Sequence, residues 1–312
     1  NLGIFGVEFF FVLSGRLMAQ ILFLNKFPLP EFFFRRATRI LPALICFVAI
    51  YIGVAALIGP PFALSPVWGA SAVTFTLNYL MVFSGHRTGF FDHIWSLCVE
   101  EHAYFLLGLI VLFFGRPARR AVWVVGGLAL LMMANGLISS LILHQNPEMV
   151  YYRSDVHVAS VFISAAVFLF LRSQMNAAWL KRIALPLFLV SLGAGVTLSS
   201  EVSSLEIMFT AGTFCLAVAV ALVDVAAKPI AAAFANPVLT RFGLWSYSIY
   251  LWQQPFYKAD EMYEGYTLVF LAASIACGVA SYYIVEKPMR RGLNALWPVL
   301  KARFARKRAG AA

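Results

Sequence analysis

The chain has 312 residues, of which 62% are hydrophobic and only 12% are charged, and its formal net charge is +10. Soluble domains are roughly half apolar and about a quarter charged, so this composition excludes an ordinary soluble fold. The basic residues lie in short connections between apolar segments and in the C-terminal tail. That distribution is typical of membrane proteins and argues against nucleic acid as the partner.

Ten apolar segments follow one another along the chain, separated by charged residues or by Pro and Gly. Each has about 16–23 residues, the length that crosses the hydrocarbon core of a bilayer. The segments are 4–24, 41–59, 67–84, 95–114, 121–143, 156–171, 184–199, 206–223, 239–257 and 267–285.

The charges between the segments predict the orientation in the membrane. The basic connections are 25–40, 115–120, 172–183 and the C-terminus, and the acidic ones are 200–206 and 258–264. The positive-inside rule places the basic ones in the cytoplasm. Three apolar segments lie between the basic connections 25–40 and 115–120, although two connections on the same side of the membrane must be separated by an even number of crossings. One of the segments 67–84 and 95–114 is therefore predicted to enter and leave the membrane on the same side.

This pattern predicts an all-α fold, a polytopic transmembrane helical bundle with about nine crossings and one re-entrant segment. The membrane domain is predicted to cover residues 1–292, followed by a basic cytoplasmic tail at 293–312 that contacts anionic lipid or stays solvated. Parity places the N-terminus outside, and residue 1 is Asn rather than Met. We therefore expect a further helix to precede residue 1.

The densest group of ionisable residues within an apolar segment lies at 93–102, which reads HIWSLCVEEH. Charged residues in a membrane segment cost at least ~2.5–3.5 kcal/mol each on insertion scales, so they indicate a function. Glu100 and Glu101 point about 100° apart on a helix, which predicts different roles for the two carboxylates. A role of the cluster in proton transfer is the favoured interpretation, and a solvated or paired interfacial cluster is the alternative.

Glu8 is a second acid within an apolar segment. Arg16 follows it by eight residues, about two helical turns, so the two can pair or flank a site. Ser14 and Gly15 are small enough to let a neighbouring helix or ligand approach closely. For Glu8 alone, structural and functional interpretations are equally supported.

Three arginines, Arg35, Arg36 and Arg39, precede the second apolar segment. Guanidinium groups suit phosphates, including those of a nucleotide-bearing substrate. Ordinary positive charge flanking a membrane helix is the simpler interpretation of these residues taken alone.

Other clusters allow two interpretations each. The aromatic run that includes Tyr247, Tyr250 and Trp252 can be an interfacial belt or part of a site. Asp155 lies between Arg153 and His157, where a local ion pair explains the charges as well as catalysis does. The scattered histidines and the four separated cysteines predict neither a metal site nor a disulfide framework.

Five stretches, taken in chain order, resemble the membrane-bound acyltransferase family 3. The matches are G-V-[DE]-x-F-F-V-x-S-G at 6–15, R-x-x-R at Arg36 and Arg39, H-x-W-S-L-x-V-E-E at 93–101, S-Y-S-x-Y-L-W at 246–252 and I-E-[KR]-P at 285–288.

This resemblance implies a bacterial inner-membrane enzyme that moves an acyl group, usually acetyl, from cytoplasmic acyl-CoA to a hydroxyl of a cell-surface or exported glycan or glycolipid. It implies that Arg36 and Arg39, with Arg35, bind the phosphates of acyl-CoA, and that no metal takes part. Glu100, Glu8 and His93 are the predicted catalytic residues. The predicted substrate cavity comprises Ser14, Trp95, Ser96, Glu101, Asp155, Tyr247, Tyr250 and Trp252.

The chain departs from the family pattern at Arg16, where an aromatic is usual, at His102, where Gln is usual, and at Gln253, where His is usual. Members of the family also have a helix before these motifs that carries an Arg and a His, and this His is the favoured catalytic base. Because the sequence begins at Asn1 without that helix, we expect the chain as given to be impaired in catalysis. A transporter or flippase is the alternative function, because buried acids also line transport pathways. A non-catalytic membrane subunit is a further alternative, and the oligomeric state stays open.

Overall fold

The computed structural model describes residues 2–59, 64–174, 177–200, 207–226, 236–263 and 265–309. Every regular element within these ranges is helical, so the predicted all-α fold is confirmed. The helices are α1 (Leu2–Ala19), α2 (Leu29–Ile58), α3 (Pro66–Val73), α4 (Leu77–Ser84), α5 (Ile94–Phe114), α6 (Ala118–Leu137), α7 (Pro147–Tyr152), α8 (Ser154–Gln174), α9 (Ala178–Ser200), α10 (Thr213–Ala226), α11 (Pro237–Met262), α12 (Thr267–Ser281) and α13 (Lys287–Ala309).

Short π-helical segments adjoin four of these helices. They are Gln20–Leu24 after α1, Ile138–Ile142 after α6, Met208–Gly212 before α10 and Tyr282–Glu286 after α12.

The helices form two compact units. The first unit comprises Asn1–Phe27, Phe75–Arg87 and Ile94–Asn236, and the second comprises Pro28–Thr74, Thr88–His93 and Pro237–Ala312.

Seven helical stretches of the described ranges are long and apolar enough to cross a membrane, and Thr210–Ala226 is a shorter apolar helix. The chain is therefore a polytopic membrane protein, as predicted, while the number of about nine crossings stays a prediction. The seven stretches are Gly3–Leu24, Leu29–Ile58, Ile94–Phe114, Ala118–Ile142, Ser154–Gln174, Ala178–Ser199 and Thr267–Ala302.

The predicted segment 67–84 is broken into two helices, α3 and α4, of 8 residues each. Each is about 12 Å long, well short of the ~30 Å hydrocarbon core. At the break, Phe75 has a φ of 57°, in the left-handed region that ends a helix. The segment 95–114 is instead the single helix α5 of 21 residues. The segment that cannot cross as one helix is therefore 67–84, and its re-entrant path stays a prediction.

In the first unit, α8 has the largest buried share of the candidate spans. Small residues allow it to approach α1 closely: a Cβ added to Gly15 would lie 2.1 Å from the carbonyl oxygen of Val161. At this contact, the Ser164 hydroxyl donates a hydrogen bond of 2.5 Å to the carbonyl oxygen of Val12. This approach brings α1 residues against the polar face of α8.

In the second unit, two of the family motifs meet at a buried carboxylate. Ser248 donates a hydrogen bond of 2.8 Å to Glu286 Oε2, and Arg290 Nη1 lies 3.4 Å from Glu286 Oε1. Gly278 lets α12 approach α11, because an added Cβ would lie 2.6 Å from Ile249 Cα. The C-terminal motif is thus a packing element of this unit.

The predicted tail at 293–312 begins as part of a longer helix, because α13 runs unbroken from Lys287 to Ala309. The boundary at 292 stays a prediction. Residues 201–206 and 264, which belong to the acidic connections used for orientation, and residues 310–312 of the tail lie outside the described ranges.

Candidate active site

Glu100 lies on α5 in the first unit, and only 5% of it is exposed. Its Oε1 atom accepts a hydrogen bond of 3.0 Å from Ser14 on α1, and a second one from the hydroxyl of Tyr104, one helical turn further along α5. A buried carboxylate needs such donors, because an unpaired charge is strongly disfavoured in an apolar environment. The structure therefore brings the predicted residues Glu100 and Ser14 together, and it adds Tyr104.

Trp95 and Ser96 begin the same helix and are both buried. Ser96 precedes Glu100 by four residues, which places both on one face of α5. The Trp95 ring is surrounded by aromatic rings, with centroid distances of 4.8 Å to Tyr151 and 5.1 Å to Tyr152. Aromatic packing thus fixes the N-terminal turn of the helix that carries Glu100.

Glu8 lies at the centre of a second polar cluster in the first unit. Its Oε1 atom is bonded to His157 Nε2, and its Oε2 atom accepts hydrogen bonds of 3.0 Å from Ser160 and 3.1 Å from Thr213. His157 Nδ1 lies 2.7 Å from the carbonyl oxygen of Tyr151. Glu8 and His157 are both fully buried. Glu8 therefore joins α1 to α8 and α10.

The sequence alone did not predict His157 as a member of this cluster. The charged pair Arg153 and Asp155 explained the local sequence, so the histidine was grouped with it. A second signal was present: His157, Ser160 and Ser164 are spaced three and four residues apart, which places three polar residues on one face of an apolar helix.

Asp155 binds local partners. It forms an ion pair of 2.5 Å with Arg153, and it accepts a hydrogen bond of 2.9 Å from Asn135. The hydrogen bonds that Arg153 donates to Asp155 raise the pKa of Arg153. The local ion pair that the sequence allowed is therefore present, and the role of Asp155 in a substrate cavity stays a prediction.

Glu101 is half-buried on the neighbouring face of α5. Arg16 does not pair with Glu8: its Nη2 atom lies 2.6 Å from Asp224 Oδ2, and its guanidinium carbon lies 5.2 Å from the centroid of the Phe168 ring. The chain thus stabilises the unusual arginine with an acid from α10.

His93 lies in the second unit, where its ring nitrogens are buried, and this desolvation lowers its pKa to about 4. Its imidazole is therefore neutral near pH 7. The Tyr250 hydroxyl donates a hydrogen bond to the backbone carbonyl of His93, and the two rings pack edge to face with centroids 5.0 Å apart. A neutral imidazole can accept a proton, but this environment makes it a weak base.

The other aromatic residues of the α11 motif also face the interior of the second unit. Tyr247 donates a hydrogen bond of 2.9 Å to the carbonyl oxygen of Ile40, and the Trp252 ring packs edge to face on Phe47 with centroids 5.3 Å apart. These contacts show packing inside the unit, and a role in binding substrate stays a prediction.

The three arginines lie on α2 in the second unit. Arg35 pairs with Glu31 at 2.5 Å and is largely exposed, while Arg36 is half-buried and Arg39 is exposed. Since they are three residues apart, Arg36 and Arg39 lie on one side of the helix. The exposed guanidinium groups can reach a phosphate, although no contact within the described residues tests that role.

Comparison with known proteins identifies the family. The family described as "Acyltransferase domain" matches residues 1–286. O-acetyltransferase OatA of Staphylococcus aureus (strain MRSA252) is 23% identical over 97% of this chain and 56% of its own length. Peptidoglycan O-acetyltransferase OatA of Listeria monocytogenes is 23% identical, and the putative peptidoglycan O-acetyltransferase YrhL of Bacillus subtilis is 26% identical, each over 93% of this chain and 51% of its own length.

The chain therefore spans about half the length of the curated relatives it matches. No solved structure matches it. The family match covers residues 1–286 and so includes four of the sequence motifs and the first two residues of the fifth. The chain belongs to the membrane-bound acyltransferase family 3.

Proposed function

We propose that this protein is an integral membrane O-acyltransferase of a bacterial inner membrane. It transfers an acyl group, most simply acetyl, from acyl-CoA to a hydroxyl of a cell-surface or exported glycan or glycolipid. The observation that carries this proposal is the family match over residues 1–286. The names of two relatives specify peptidoglycan, so its hydroxyl groups are the first acceptors to test.

Glu100 is the group best suited to remove the proton from the acceptor hydroxyl. It is held by two neutral hydroxyls, whereas Glu8 is paired with His157. Ser14 and Tyr104 keep the Glu100 carboxylate oriented, which general base catalysis requires.

Donor binding is assigned to Arg36 and Arg39, with Arg35 beside them. Planar guanidinium groups bind phosphate oxygens in a bidentate manner, and acyl-CoA carries several phosphates. Positive charge before a membrane helix also supports a cytoplasmic location for these residues and for the C-terminus, on the side of the membrane where acyl-CoA is found.

The proposal is tested with the full-length protein in membrane vesicles supplied with labelled acetyl-CoA and peptidoglycan fragments. Glu100→Gln preserves the size of the side chain and removes the base, so the turnover number should fall about 10²- to 10⁴-fold. Glu148→Gln is the matched control, because Glu148 forms an exposed ion pair with Arg87. This control should retain wild-type turnover.

Equal turnover of the Glu100→Gln and Glu148→Gln variants would contradict the assigned base. Failure of the wild-type protein to label any hydroxyl-bearing glycan would contradict the proposed reaction. Substrate-dependent flux into vesicles that lack acyl-CoA would instead support the transport alternative.

A further inference from the structure

The hydrogen-bond pattern around His157 determines the position of one proton. His157 Nδ1 lies 2.7 Å from the carbonyl oxygen of Tyr151, and a carbonyl oxygen can only accept. The Nδ1 atom must therefore carry a hydrogen. The remaining proton of the pair lies between His157 Nε2 and Glu8 Oε1.

The surroundings of Glu8 indicate which atom holds that second proton. Ser160 and Thr213, from α8 and α10, both donate to Glu8 Oε2, so three side chains converge on one carboxyl group. An ionised carboxylate is a pure acceptor with about four lone-pair sites, and hydrogen bonds to the charged form favour that form. The contacts fit a carboxylate facing an imidazolium that donates from both nitrogens. A neutral acid that donates from Oε1 to Nε2 is the alternative that the experiment below distinguishes.

The imidazole ring also contacts aromatic residues of three helices, which are Trp95 at the start of α5, Phe11 on α1 and Tyr151 on α7. Its centroid lies 5.2 Å from that of Trp95, 4.9 Å from that of Phe11 and 4.6 Å from that of Tyr151. The pairs with Phe11 and Tyr151 are edge to face and the pair with Trp95 is tilted, so the orientation of the His157 ring helps to fix this group of rings. Trp95 precedes Glu100 by five residues on the same helix.

We propose that Glu8 and His157 form a buried ion pair that positions Trp95 and, through it, the start of the helix bearing Glu100. His157 is then a positioning residue, and Glu8 acts by keeping it charged and oriented. The catalytic consequence rests on the proposed acyltransferase function, whereas the ion pair itself does not. Since burying one partner alone is strongly disfavoured, each residue explains the presence of the other.

The charge state is tested by infrared difference spectroscopy on the purified full-length protein. The spectrum of the wild type minus that of Glu8→Gln should lack the C=O band of a protonated carboxylic acid. In His157→Phe, which keeps a ring but removes the cation, Glu8 should take up a proton and this band should appear. The band should vanish again in the double variant Glu8→Gln/His157→Phe.

A protonated-acid band in the wild type that disappears in Glu8→Gln would overturn the ion pair in favour of a neutral pair. If His157→Phe does not fold, the wild type and Glu8→Gln still decide the question. Glu8→Gln should fold, because the new amide can donate to the Nε2 atom of a neutral His157.

The positioning role is tested by acetyl transfer with the same proteins. Glu8→Gln and His157→Phe should lower kcat about 10- to 100-fold and leave KM for acyl-CoA nearly unchanged, because misplacement of a reacting group acts on turnover. Ser164→Ala is the matched control: it removes another buried α8–α1 hydrogen bond without contacting Glu8 or His157.

Wild-type kcat in folded Glu8→Gln, or an equal loss in Ser164→Ala, would overturn the positioning role. If the wild type itself transfers no acyl group, the proposed function fails, while the infrared result still decides the ion pair.

Discussion

Gly15 offers a sharp test of how closely α1 and α8 pack. A Cβ added there would lie 2.1 Å from the carbonyl oxygen of Val161 and 2.9 Å from Ser164 Cβ, whereas ordinary contacts begin at 3.4 Å. Both obstacles belong to α8, and the nearer one is backbone, so no rotamer change can relieve it. In Gly15→Ala the two helices must therefore move apart by roughly 1 Å.

The cost can be worked out from this geometry. Overpacking of this kind costs about 1–3 kcal/mol. Separation also weakens the hydrogen bond from Ser164 to the carbonyl oxygen of Val12, which contributes about 0.5–1.5 kcal/mol. Replacing a helical glycine with alanine itself gains about 0.5–1 kcal/mol, so we expect Gly15→Ala to lower the free energy of unfolding by about 1–3.5 kcal/mol.

Gly6→Ala is the control, because Gly6 lies on the same helix and an added Cβ meets nothing within 4 Å. Alanine restricts the unfolded chain more than glycine does, so this variant should gain about 0.5–1 kcal/mol. Both variants are measured by reversible unfolding of the full-length protein in mixed micelles of mild detergent and sodium dodecyl sulfate. Equal stability of the two variants would refute the close helix contact.

Three further predictions concern the second unit and its arginines on α2. Replacing both Arg36 and Arg39 with Ala should raise KM for acyl-CoA about 10-fold or more, since charged hydrogen bonds contribute about 1.5–3 kcal/mol each. Arg119→Ala, in another basic connection, is the control and should leave KM unchanged. An unchanged KM in the double variant would exclude Arg36 and Arg39 from donor binding. Glu286→Ala should lower the free energy of unfolding by about 1–3 kcal/mol, because the serine hydroxyl that donates to it is left unsatisfied, and wild-type stability would refute this structural role. Burial lowers the pKa of His93 from 6.5 to about 4, so the unfolded state binds more protons than the folded state between these pH values. The free energy of unfolding should therefore fall as the pH drops through this window, by about 3 kcal/mol at pH 4. His93→Gln should remove this component of the pH dependence in unfolding titrations, and an identical slope in both proteins would contradict the prediction.

The sequence predicted the candidate site unevenly. Glu100 and Ser14 were both named, and the structure joins them by a hydrogen bond although they are 86 residues apart. Glu8 was named without its partner His157, which lies 149 residues further along the chain. A helical pattern shows which face of each helix carries a residue, but it does not show which helix that face meets. Tyr104 was not predicted either, because a tyrosine in an apolar helix is ordinarily interpreted as a packing residue.

The break in the segment 67–84 was predicted in part by the charges of the connections and located by the backbone conformation. Charge parity required that one of two segments fail to cross, because lipid admits only whole crossings or returns. It could not choose between them, since both segments are apolar and of spanning length. The choice appears only in the backbone, where Phe75 adopts a positive φ and divides the segment into two short helices.

The amino-acid sequence by itself determined the all-α membrane class and the family. Segment length, hydropathy and loop charge respond to the bilayer one segment at a time, and the motifs are contiguous in the chain. Only the tertiary structure decided that Glu8 meets His157, that Arg16 pairs with Asp224 and that Tyr104 completes the Glu100 site. These pairings depend on which helix faces pack together, and packing is a property of the whole set of helices rather than of any one of them.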